Sequence, residues 1–112
     1  MKKLLLIAGL IITSSFANSA ESEEINITRL KMDKTFDNHQ VFIKTSNPSD
    51  NPINCQTDEK WHYVLNIDND YDQNIYSLLL AAKLSGSKVI LSGSGECNFN
   101  DAIEDLTSIE LL

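Results

Sequence analysis

The chain has 112 residues, of which 42% are hydrophobic and 22% charged, enough for one globular domain and too few for two independent cores. Nine Lys and Arg stand against sixteen Asp and Glu, giving a net charge of −7. That balance argues against a protein that grips a nucleic-acid backbone by releasing counterions.

Lys2 and Lys3 followed by the apolar run Leu4 to Ile12 and the small residues Thr13 to Ala20 read as a secretory signal peptide over residues 1–20. The apolar run is about half the roughly 20 residues needed to cross a bilayer, so no membrane span is expected after cleavage. Losing Lys2 and Lys3 with the leader, and no acid, takes the charge from −7 to −9. Residues 21–112 then form a single periplasmic or secreted domain. Its two cysteines, Cys55 and Cys97, would meet in a disulfide in that oxidising setting, because two thiolates are too few for a tetrahedral zinc site. In the chain-entropy account a loop of that length stabilises by about 4 kcal/mol.

The elements follow in chain order. Ile25, Ile27, Leu30 and Met32 lie in a largely alternating stretch that predicts a first strand over residues 24–32, and His39 to Thr45 a second that pairs with it. Ser46 to Asn54 holds two prolines among turn formers and reads as a loop delivering Cys55. Lys60 to Asn66 alternates, which predicts a third strand with Trp61, Tyr63 and Leu65 on one face. Asp72 is the expected N-cap of a helix through Ile75 to Leu84, with Ile75, Leu78, Leu79 and Ala82 on its core face and Gly86 at its left-handed end. Tyr76, Leu80 and Leu84 make its other faces more apolar than a lone surface helix needs. Lys88 to Leu91 predicts a fourth strand, the glycines before Cys97 a bend, and Asp105 to Leu112 a fifth strand.

Five strands with one helix between the third and fourth is the connectivity of a mainly β, OB-like Greek-key barrel; an open α+β sheet is the alternative. The stretch Trp61 to Leu65, the helix Tyr76 to Gly86, the segment Val89 to Cys97 and the closing Leu106 to Leu111 resemble a family of short exported proteobacterial proteins. At greater distance, size, export signal, single disulfide and helix placement resemble the OB-fold B subunits of AB5 toxins of the pertussis-like and subtilase-like group. That resemblance implies glycan binding and a homo-oligomer formed through the helix, and carries over no site residue.

Asp68, Asp70 and Asp72 begin like a calcium loop, but Gln73 stands where glycine is needed and Leu79 where glutamate is, so a capped turn is expected and no metal. His39 and His62 could act as bases, yet neither sits in a catalytic motif. Gly93 to Gly95 lacks the lysine and helix of a phosphate loop. Trp61, Tyr63 and Tyr71 are the candidate ligand contacts, with the core as the competing place for the first two. The expectation is a non-catalytic binding module without cofactor, its partner a glycan or a protein, or else an accessory protein of the cell envelope.

Overall fold

The computed structural model describes residues 21–34 and 39–112; the expected signal peptide lies outside them. Five strands and one helix follow in the order β1 (Ile27–Met32), β2 (Gln40–Thr45), β3 (Tyr63–Asn66), α1 (Asp70–Ser85), β4 (Val89–Gly93) and β5 (Leu106–Leu111). The strands form two antiparallel sheets, β1-β2-β3 and β4-β5. The fold is mainly β, as the patterning implied.

Backbone bonds outside the strands link the sheets at two places. Ile25 exchanges both of its bonds with Val89, at 2.9 and 2.8 Å, and Ser22 N–H donates to the Leu91 carbonyl at 2.7 Å. At the other side, Val64 N–H donates to the Glu104 carbonyl at 3.0 Å in a parallel bridge between Val64 and Asp105.

The first strand is not a regular alternation. Ile27 pairs with Thr45 and Arg29 with Lys44, so Thr28 is an extra residue, and its hydroxyl donates to the Lys44 carbonyl. This β-bulge shifts the side-chain phase: Ile27 and Leu30 point into the main core while Arg29 and Lys31 point out of it.

The β1-β2-β3 sheet is covered on both faces. Its inner face, with Ile27, Val41, Ile43, Tyr63 and Leu65, packs against Ile75, Leu79 and Ala82 of α1 and against Val89, Leu91 and Leu106. On its outer face Phe42 and Val64 meet Trp61 and Ile103 in a separate small cluster, roofed by loops rather than by another element. Trp61 therefore does not share a face with Tyr63 and Leu65 as the alternation predicted. The physical reason is a turn: the Asp58 carboxylate accepts the backbone N–H groups of Lys60 and Trp61, at 2.7 and 2.8 Å, and this bends the chain just before β3 begins.

Helix α1 also starts earlier than expected. Its N-cap is Asn69, whose side chain accepts the N–H of Asp72 at 3.0 Å, while the Asp72 carboxylate reaches back to the N–H of Asp68. Asp72 is thus an acidic residue of the first turn, where it also meets the positive end of the helix dipole. Gly86 ends the helix at φ 72°, donating to the Ala82 carbonyl, in the conformation only glycine adopts without strain. Leu78, placed on the core face by periodicity, is exposed, and the buried face of the helix is Ile75, Leu79 and Ala82. No helix among the described residues is long and apolar enough to cross a membrane.

Candidate functional site

Two loops roof the outer cluster, and three kinds of bond hold them together. Cys55 and Cys97 form a disulfide with their Cα atoms 6.1 Å apart, as the cysteine count implied. The N–H groups of Thr57 and Asp58 both donate to the Ala102 carbonyl. Gln56 bridges the rest: its amide donates to the carbonyls of Asp58 and Trp61, and its oxygen accepts from Glu104 N–H at 2.7 Å.

The loop from Gly93 to Asn98 is shaped by two buried acids. Asp105 accepts from the backbone and the side-chain amide of Asn98, each at 2.8 Å, and from the Ser94 hydroxyl at 3.0 Å. Glu104 accepts the N–H of Gly95 at 2.9 Å, and its carboxylate lies where a side chain on Gly93 would have to go. Buried carboxylates of this kind are stable only when their oxygens are satisfied. Neither acid stands out in the sequence, where Glu104 looks like an ordinary charge and Asp105 like the first residue of the fifth strand, which in the structure begins at Leu106.

Beside this stapled region lies a groove of about 580 Å³. The loop from Asn47 to Pro52 and the turn from Gln56 to Glu59 form its walls, residues 21–23 its rim, and His62, Tyr63 and Glu104 its inner lining. Amides, hydroxyls and carboxylates share the lining with apolar surface of about equal extent, so the groove offers donors and acceptors beside apolar wall.

His62 is fixed within this lining. Its Nδ1 accepts the backbone N–H of Thr45 at 3.0 Å and lies 2.8 Å from the Thr45 hydroxyl. Burial, and then the positive charge of Lys44, lowers its pKa, against the opposing pull of a bond to the Glu59 backbone and the charge of Asp58. A hydroxyl beside a neutral imidazole is the geometry of an activated nucleophile. Thr45 lines the groove beside His62 but is only 3% exposed. Burial first, and then the charges of Glu104 and Glu21, hold the Tyr63 phenol far above its ordinary range.

The three aromatic residues named from the sequence are dispersed. Tyr63 is buried and lines the groove, Trp61 is buried in the outer cluster, and Tyr71 stands 70% exposed in the first turn of α1 against a smaller cavity that Phe99 also lines. They form no common platform. His39 lies just ahead of β2 and does not line the groove. Comparison with protein-family models and with curated proteins finds no match.

Proposed function

We propose that the chain is an exported, non-catalytic binding module on an OB-like barrel, and that the groove beside His62 and Tyr63 takes an uncharged saccharide. The groove carries this reading. A volume of about 580 Å³ suits a mono- or disaccharide. The amides of Asn47 and Asn51, the hydroxyls of Ser49 and Thr57 and the surrounding carboxylates match sugar hydroxyls, which both donate and accept. The carboxylates also disfavour an anionic ligand there. The barrel reading is supported by the order of links around the fold: β1 to β2 to β3, β3 to the chain ahead of β5, β5 to β4, and β4 back to residues 22–25. The disulfide fits an oxidising compartment and so supports export.

The likeness to toxin B subunits adds an oligomer through α1. Leu80 and the 84%-exposed Leu84 are on the helix side away from the core, an apolar surface that a second copy would cover. A monomer by light scattering removes the oligomer and leaves the groove reading standing.

A glycan array followed by amide-shift titration tests the groove. Binding is expected to move resonances in residues 47–52 and 56–59 and to be lost in Asn51→Ala. Absence of any glycan ligand, together with capture of an envelope protein by crosslinking, would favour the accessory role instead.

A further inference from the structure

The outer face of the β1-β2-β3 sheet concentrates positive charge on an acidic protein. Of the seven Lys and Arg after residue 20, four belong to it: Arg29, Lys31, Lys44 and Lys60. Three of them converge on one ring. The Arg29 guanidinium lies 5.2 Å from the centre of Trp61, the Lys60 ammonium 5.6 Å and the Lys31 ammonium 5.9 Å. Lys44 sits directly opposite Arg29 in the strand register.

This clustering is built, and it costs stability. The bulge at Thr28 is what turns Arg29 and Lys31 to the face opposite Ile27, and bulges that re-aim a side chain recur beside functional sites. Like charges directly opposite one another on paired strands are destabilising. Lys31 has a carboxylate partner, Asp33 at 3.5 Å, but among the described residues no ion pair neutralises Arg29, Lys44 or Lys60. The field of Lys44 is felt as far as His62.

We propose that this face binds a tetrahedral oxyanion, the phosphate or sulfate ester of a saccharide. A guanidinium fork engages two oxygens of such a group and the ammonium groups of Lys31 and Lys60 supply point charges beside it. Trp61 is too buried to stack on a sugar ring; it acts as the floor over which the three cationic groups are gathered. A compact ester fits better than an extended anionic surface, because the net charge of −7 repels a membrane or polyanion at long range while the local cluster attracts one small dianion. The site shares no residue with the groove and stands independently of it.

Trp61 is the sole tryptophan, so its emission reports on this site alone. The oxidised protein would be titrated with glucose 6-phosphate, inorganic phosphate and glucose. The expected result is a saturable emission change with both phosphates, weakened by added salt, and none with glucose. Arg29→Gln and Lys60→Gln should each weaken binding about tenfold, whereas Lys83→Gln on α1 and Asn51→Ala in the groove should leave it unchanged. Amide spectra establish that each variant is folded. The proposal is overturned by any of four results: no saturable change in the folded protein, unaltered binding in folded Arg29→Gln, loss of binding in Asn51→Ala, or tighter binding to anionic phospholipid vesicles than to the sugar phosphate.

Discussion

The two faces of the β1-β2-β3 sheet are closed by different means. On the inner face a helix and a second sheet bury a continuous set of aliphatic side chains, among them Val41, Ile43, Leu65, Leu79, Val89 and Leu91, each with 1% exposure or less. On the outer face four buried residues, Phe42, Trp61, Val64 and Ile103, are too few to hold a roof by burial alone. There the cover is held by a disulfide, a bridging glutamine and two buried carboxylates. The inner face supplies non-directional stability; the outer face supplies shape, with the basic cluster on it and the groove between its roof and inner-face Tyr63. Covalent and polar ties suit that task because each specifies a geometry, whereas apolar packing tolerates many.

The sharpest way to break this contrast is to cut each side in its own currency. Leu79→Ala removes a fully buried side chain from the centre of the inner core and should cost about 3–5 kcal/mol, seen as a cooperative loss in urea unfolding at all probes. Cys55→Ser with Cys97→Ser should cost up to about 4 kcal/mol on the chain-entropy account, but with a different signature. Trp61 emission and amide protection in residues 55–61 and 94–105 should change before the strands of the inner core do. If both variants loosen the whole molecule equally, the roof is not a separable layer.

A smaller cut tests the polar ties alone. Asp105→Asn replaces one of two acceptor oxygens with a donor, facing the Asn98 and Ser94 groups that now donate to it. The expected loss is about 1–3 kcal/mol, together with exchange broadening confined to the Gly93–Asn98 loop. Broadening that extends into α1 would mean that the acids support the inner core as well.

The same division explains what the sequence revealed. Strand positions, the helix, its glycine stop and the disulfide are legible because each leaves a local or compositional mark: alternation, 3.6-residue spacing, a glycine after an apolar run, two cysteines downstream of an expected leader. The roof leaves none. Gln56, Asp58, Glu104 and Asp105 act through side-chain bonds to backbone groups elsewhere in the chain, and their residue types are those of any polar loop. Trp61 was assigned to the wrong face because the turn at Asp58 interrupts the period just before the strand. One missed signal was available. The apolar residues of the first strand run 25, 27 and then 30, 32, and that change of phase marks the bulge that turns Arg29 outward. The basic cluster itself draws on positions 29, 31, 44 and 60 and becomes visible only when the strands are paired.

The smallest expected effect lies at the junction of the two layers, at His62. Its pKa is lowered in the folded protein, chiefly by burial and then by Lys44, so folding favours the neutral ring. The unfolded chain, with a histidine near the ordinary value of 6.5, binds a proton more readily as the pH falls through that value. The contribution of His62 is therefore fully present above the unfolded pKa and declines on acidification until the pH passes below the lowered, folded value. Protonation at Nδ1 would also remove the acceptor that Thr45 N–H now uses. His62→Asn keeps an oxygen near that position without a titrating group. Wild type should lose more stability than the variant between neutral pH and mildly acidic pH in paired urea titrations, while Trp61 emission in the folded state stays constant. A wild-type curve parallel to that of the variant would show that the ring is not held neutral by its place between the sheet and the groove.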